Sequence, residues 1–202
     1  MPIYSNFIGV TNYSRPYENG YLDSRMIMLL ADGGVPAENL MELQRSYHEL
    51  LEGMCTETAE LFLCLKGEFD LLREIRVNGI DDHMRERLQV FRNQEVDEMK
   101  KAAGYTRILV PKSREVFAVC DPYNKLKHGE CYFNPTMPED EAKSFPGPEQ
   151  RFLVTRRPNY HTGDIRVLRM TKDKQKYKNL RDCLVLPVKG PRPHAFECAG
   201  GT

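Results

Sequence analysis

The sequence predicts an α+β fold in which a helical first half is followed by a mostly β second half. Up to Ala103, apolar residues recur at steps of three and four, the spacing that lines one side of an α-helix. After Gly104 they collect instead in short runs of Val, Ile, Leu, Phe and Tyr punctuated by Pro and Gly, which is the pattern of strands. With 202 residues, 41 % of them apolar, the chain can bury a core as one domain or two small ones.

Residues 1–21 contain Pro2, Gly9, Pro16 and Gly20 among polar and aromatic residues and read as an irregular lead-in. Residues 22–104 read as a helical subdomain of four stretches. In the first, Asp23 is placed to cap the N-terminus, and Gly33 or Gly34 to end the helix at positive φ. Pro36 suits the first turn of the second, whose Leu40, Leu43, Tyr47, Leu50 and Met54 form a stripe that needs a partner surface. Thr56 is the expected cap of a third, with Leu61, Leu65, Phe69 and Leu72 on one side, running to the Asn78-Gly79 turn. Asp81 caps the fourth, with Met84, Leu88, Phe91 and Met99 inward, Arg85, Glu86, Asn93 and Glu98 outward, and Lys100 and Lys101 complementing the helix dipole at its end.

Residues 105–202 carry the strand candidates RILVP, EVFAVCD, ECYF, RFLVTRR, DIRVLRM and DCLVLPV. Alternation in DIRV puts Ile165 and Val167 on one face and Arg166 on the other. The spacing leaves little room for crossover helices, so a compact barrel is expected rather than a doubly wound sheet. Residues 134–150, with four prolines and the acidic Glu139-Asp140-Glu141 run, read as a surface excursion.

Net charge is zero, but its distribution is not even. Residues 1–103 hold 11 Lys and Arg against 18 Asp and Glu, a net −7, and residues 104–202 hold 18 against 11, a net +7. From Arg151 onward the count is 12 basic against 4 acidic, which suits an anionic partner or, more plainly, a solvated basic face. The six cysteines have no zinc-like spacing and read as reduced, buried small hydrophobes. No secretory leader is visible and no apolar run approaches the about 20 residues that span a bilayer. The chain is therefore expected to be soluble and intracellular, cytoplasmic or nuclear.

The segment VTRRPNYHTGDIRVLRMTKDKQKYKNLRDCLVLPVKGPRPHAFECAGG, from Val154 to Gly201, carries the most specific signal. Its Val154, Arg156, Pro158, His161, Gly163, Asp164, Ile165, Arg166, Val167, Asp182, Pro187, Lys189, Gly190, Arg192 and Pro193 fall in the order of a known pattern. That pattern is a V-x-R-x-P strand, an H-P-G-D-I-R-V turn and strand, a D-x-x-V-F-P strand and a K-G-x-R-P loop. It closely resembles the cellular, gene-silencing type of RNA-dependent RNA polymerase. Upstream, ILVPKSREVFAVCDPYNKLKHGECYF is similar to the family's strand pair around a D-P-x-x-x-L-x-x-G turn, and SRMIMLLADGGVP to its helix leading into L-G-V-P.

The resemblance implies a double-psi β-barrel, here incomplete, one of two that face each other across a polymerase cleft. It also implies RNA template and nucleoside triphosphates as partners, the rest of the polymerase chain as a further one, and Mg²⁺ held by an Asp-x-Asp-Gly-Asp loop. Such closely spaced carboxylates are hard oxygen ligands for the ions that in-line nucleotidyl transfer needs. This chain has no Asp-x-Asp-Gly-Asp: Glu197-Cys198-Ala199-Gly200-Gly201-Thr202 stands where the loop would begin. A polymerase fragment inactive alone is the leading expectation, without catalytic or metal-binding residues of its own. A non-catalytic RNA-binding or interaction module is the alternative.

Candidate RNA- or nucleotide-binding residues are Lys189, Arg192, Arg156, Arg166 and His194. Arginine offers a planar fork and lysine a point charge to phosphate oxygens. Lys189 and Arg192 lead because they flank Gly190 and Pro191 on the loop toward the missing aspartates. For His161 and His194 a structural hydrogen bond is the plainer role. Gly163-Asp164 reads as a tight turn whose carboxylate accepts backbone N–H groups, and the lysines of the run from Lys172 to Lys178 as a solvated face.

Overall fold

A computed structural model describes residues 19–102, 106–137, 150–156, 159–190 and 194. Its α+β architecture comprises two bodies of packing. The first is helical: β1 (Tyr21–Asp23), α1 (Ser24–Asp32), α2 (Ala37–Glu52), α3 (Ala59–Lys66), α4 (Phe69–Asn78), α5 (Asp82–Lys101) and β2 (Arg107–Leu109). The second is a five-stranded mixed sheet of β3 (Phe117–Cys120), β4 (Glu130–Phe133), β5 (Arg151–Val154), β6 (Arg166–Met170) and β7 (Cys183–Leu186), in the order β3-β7-β4-β6-β5.

Local chemistry sets the helix ends. Asp23 accepts the Met26 N–H at 2.8 Å and Asp81 that of Met84 at 2.7 Å, so both acidic caps stand where the sequence puts them. The chain leaves α1 through Gly34 at φ +91°. The third predicted helix is in fact two, because Gly67 adopts φ +74° and closes α3 one residue after Lys66. Thr56 caps neither; its place is taken by Thr58, whose hydroxyl donates to the Leu50 carbonyl at 2.6 Å. Breaking the helix also re-aims it: Phe62 and Leu63 are buried while Leu61, expected inside, is 56 % exposed.

The helical core gathers Tyr47, Leu50, Met54, Phe62, Leu63, Leu72, Met84 and Leu88 with Ile108 and Leu109. The last two belong to β2, which the sequence reading groups with the later strands. It pairs instead, antiparallel, with β1, a short strand at the boundary between the expected lead-in and helical subdomain (Tyr21↔Leu109, Asp23↔Arg107), and so closes the helical body.

At the centre of that body lies Glu95 of α5, 7 % exposed. Its carboxylate accepts from Tyr21 (2.9 Å), Tyr47 (3.0 Å), Lys66 (2.7 Å) and Arg107 (2.8 Å), one donor each from β1, α2, α3 and β2. The Arg107 guanidinium also lies 3.6 Å from the Tyr21 ring centroid. Burial raises the Glu95 carboxyl pKa, but Lys66 and Arg107 outweigh that and hold it below the ordinary value.

The sheet core is Leu126, Cys131, Tyr132, Leu168, Met170, Tyr177, Val185 and Leu186. Alternation in β6 buries Leu168 and Met170 on the Arg166 side and leaves Val167 62 % exposed. Among the described residues the strands form an open series, with β3 and β5 at its ends. Cys131 is buried, Cys55, Cys64 and Cys183 are half-buried, and Cys120 is exposed, against the expectation of uniform burial, because β3 is an edge strand; all five are free thiols. Most of the 134–150 excursion and Cys198 lie outside the described residues. No helix among the described residues is long and apolar enough to cross a membrane.

Replacing Glu95 by Gln leaves Lys66 and Arg107 partly buried without their counter-ion, at an expected cost of about 3 kcal/mol in urea unfolding at neutral pH. A carboxyl whose folded pKa is depressed stabilises above its unfolded pKa and loses that contribution as pH falls through the folded value. Glu95→Gln should therefore also flatten the acid limb of the stability profile, which a series of melts from neutral to acid pH reads directly.

Candidate functional site

The strand register brings one set of segment ends to one end of the sheet. β4 and β6 run parallel (Glu130↔Arg169), β4 and β7 antiparallel (Tyr132↔Val185), β5 and β6 antiparallel (Val154↔Arg166) and β3 and β7 parallel (Cys120↔Leu186). The starts of β4 and β6 therefore share an end with the exits of β3, β5 and β7. Arg156 follows β5, Arg166 opens β6, and Lys189 follows β7, so topology brings Lys189 to the same end of the sheet as the two arginines that flank the β5–β6 connection. Lys189 is exposed; Arg156 and Arg166 are half-buried.

Asp121, at the exit of β3, organises the turn that enters β4. Its carboxylate accepts the N–H groups of Tyr123 (2.9 Å), Lys125 (2.5 Å) and Leu126 (2.7 Å) and the Tyr177 hydroxyl (3.0 Å). Burial pushes its pKa up, and these donors more than reverse that, holding it below the usual carboxylate range. Burial and the adjacent Asp121 raise the Tyr177 hydroxyl correspondingly. Tyr177 sits in the lysine run; its ring is buried against Tyr132, while Lys172, Lys176 and Lys178 face solvent as expected and Lys174, also expected there, is half-buried.

Beyond that turn, the Gly129 N–H donates to His194 Nε2 at 3.1 Å. The ring that accepts this bond is 4 % exposed and lies 4.2 Å, centroid to centroid, from His128. An Nε2 that accepts a hydrogen bond belongs to a neutral imidazole with its proton on Nδ1. The loop after β7 comes so near that a Cβ on Gly190, at φ +112°, would lie 2.8 Å from His128 Cδ2. Only glycine combines that backbone conformation with that approach.

Between β5 and β6 the chain makes a 3₁₀ turn at Thr162–Asp164. Asp164 accepts the N–H groups of Tyr160 (2.8 Å) and His161 (3.2 Å), and the Gly163 N–H donates to His161 Nδ1 at 2.8 Å. The carboxylate is thus a turn-builder, as the sequence suggests. The Tyr160 N–H is the main cause of its lowered pKa, with smaller contributions from the His161 N–H and the charge of Arg156.

Of the five candidate residues, Arg156, Arg166, Lys189 and His194 belong to segments at this end, and Arg192 lies outside the described residues. His194 presents no ring edge to solvent but ties the loop after β7 to the turn before β4. Sequence reasoning missed Asp121, His128 and Gly129 as its supports. Asp121 and the glycine stood inside a quoted motif, whereas no local pattern joins His128 to His194. Among the described residues no three His, Cys, Asp or Glu side chains gather as metal ligands. Asp121 and Asp164 are each engaged by backbone donors in separate turns and gather no further carboxylate, so these residues do not fit a Mg²⁺ site.

In overall shape the chain is similar to a polymerase, the RNA dependent RNA polymerase QDE-1 from Thielavia terrestris. The TM-score is 0.55 at 18 % identity, covering 96 % of this chain and 24 % of that one, a likeness of fold. The model of the RNA dependent RNA polymerase family matches residues 4–201, and the chain belongs to that family. It is 29 % identical over 202 residues to the probable RNA-dependent RNA polymerase 1 of Oryza sativa subsp. japonica, covering 96 % of this chain and 26 % of the relative. To RNA-dependent RNA polymerase 2 of Arabidopsis thaliana it is 29 % identical over 204 residues, covering 90 % and 18 %. The chain thus spans about a quarter or less of the length of these curated relatives.

Asp121→Ala strips four donors of their acceptor and is expected to cost about 2 to 3 kcal/mol, measured by denaturant unfolding. An unchanged midpoint would show that the turn holds itself without the carboxylate.

Proposed function

We propose that this chain is part of the catalytic region of an RNA-directed RNA polymerase. In this reading it supplies a basic surface to RNA and to nucleoside triphosphates, and the rest of a polymerase chain completes it. The observation that carries the reading is the convergence of Arg156, Arg166 and Lys189 on one end of the sheet, where neighbouring carboxylates are occupied by backbone donors. Cations brought together at one end of the sheet supply the positive potential on which phosphate binding draws. Lys189, beside the glycine that approaches His128, and Arg192 are the residues we assign to phosphate contact. Arg156 and Arg166 join them, while His194 contributes by holding the loop.

The five-stranded sheet is in this reading the described part of a double-psi barrel spanning 105–202, following the lead-in 1–21 and the helical subdomain 22–104, with β2 donated to the helical side. Mg²⁺ belongs to an Asp-x-Asp-Gly-Asp loop, which the 202 residues do not contain. The biological role would be synthesis of complementary RNA for silencing, in cytoplasm or nucleus. The unsuitability of Asp121 and Asp164 for a metal favours, for this chain acting by itself, the second reading of a non-catalytic RNA-binding module.

The purified chain is expected to incorporate no nucleotide with Mg²⁺ on a primed template, and template-dependent product would overturn that. It should bind single-stranded RNA with a steep salt dependence. Lys189→Glu combined with Arg192→Glu should lower the salt slope by about 2. A slope equal to that of the unmodified chain would remove both residues from the site.

A further inference from the structure

At the same end of the sheet one aromatic ring stands out against the packing. Tyr160 is 72 % exposed, yet its backbone is not loose: its N–H is held by the Asp164 carboxylate at 2.8 Å. The residue before it, Asn159, is buried and donates to Met26 Sδ of α1 at 2.9 Å. A large apolar ring is thus presented to solvent by a turn fixed on both sides. A lone exposed tyrosine means little; its neighbours give this one meaning. The Arg25 guanidinium, carried by α1 from the helical body, lies 5.6 Å from the ring centroid. On the other side in sequence, exposed His161 uses Nδ1 to accept the Gly163 N–H, which leaves Nε2 as the ring's donor. Arg156 lies near enough to Asp164 to help depress its carboxyl.

A largely exposed flat ring with a guanidinium over one face, and a further N–H donor on a rigid turn, are the elements with which proteins take an unpaired nucleotide. The base stacks on the ring and the cations meet the phosphates. We propose that Tyr160 is a stacking platform for one base of single-stranded RNA, with Arg25 and His161 engaging the same nucleotide's phosphate and sugar. The proposal rests on the RNA-binding reading above and adds to it a residue pair contributed by both bodies of the fold. α1, whose start is set by β1, then has a direct part in the site.

The test measures binding of the 202-residue chain to a short fluorescein-labelled oligouridylate and to an abasic phosphodiester of equal length, with thermal melts to verify folding. Tyr160→Ala is expected to weaken oligouridylate binding about tenfold and to leave the abasic strand unaffected, because only the base is lost from the ring. Tyr160→Phe, which keeps the ring, should bind as the unmodified chain does. Arg25→Ala should weaken both strands and reduce the salt slope by about one. The platform is refuted if Tyr160→Ala binds oligouridylate normally, if it loses as much on the abasic strand, or if Tyr160→Phe is equally impaired. Should Lys189→Glu with Arg192→Glu reduce binding while Tyr160→Ala does not, the platform alone falls. An unmodified chain that binds neither strand at low salt takes the wider RNA-binding reading with it.

Discussion

The carboxylate of Glu95 is the point on which the helical body turns. Four donors from four elements converge on it, and two of them are cations that burial would otherwise expel. Each partner fixes a relationship the apolar core leaves loose: Tyr21 sets β1 against α5, Arg107 sets β2, and Lys66 sets the end of α3 just before the chain breaks at Gly67. Apolar packing is tolerant of small slides, whereas a carboxylate with directed donors is not. Because β1 runs without a gap into α1, fixing Tyr21 also fixes where α1 begins, and with it Met26 under Asn159 and Arg25 beside Tyr160.

The sheet end is built by a different use of the same chemistry. Asp121 and Asp164 spend oxygens on backbone N–H groups, so each closes a turn while staying ionised. His194 does the equivalent with a ring nitrogen. Polar side chains consumed in this way make the loops between strands rigid, and Arg156, Arg166 and Lys189 are mounted on those loops or at their borders. A basic surface on a fixed frame loses less side-chain and loop entropy on meeting an anion than one on free loops.

Features governed by neighbouring residues were legible in the sequence. Asp23 and Asp81 cap because an acidic residue ahead of an apolar-periodic run satisfies orphan N–H groups three residues on, and the six later strands follow from β-branched and aromatic runs between breakers. What escaped was set at long range. Glu95 looks like one more polar residue on an amphipathic helix, and only the arrival of Tyr21, Tyr47, Lys66 and Arg107 buries it. β1 has three residues and no pattern of its own; its pairing with β2 defines it. Gly67 reads as tolerable inside a helix until its positive φ shows that it ends one. The motif residues Arg156, Arg166 and Lys189 were legible singly, but their meeting place depends on strand register, and Tyr160 and Arg25 carry no motif that would pair them.

The order of pairing in the sheet also bears on how the chain acquires its shape. β3 must wait for β7 (Phe117↔Cys183), and β4 for both β6 and β7, while the helical body, from Tyr21 to Leu109, is built from contacts within one stretch of chain. Synthesis delivers the chain from its N-terminal side, and folding units form in the order in which they emerge. On a ribosome the helical half can therefore fold while the β half is still being made, and β3 spends that interval without its neighbour. Its exposed Phe117 and Val119 make that interval the stage of biogenesis most open to misassociation.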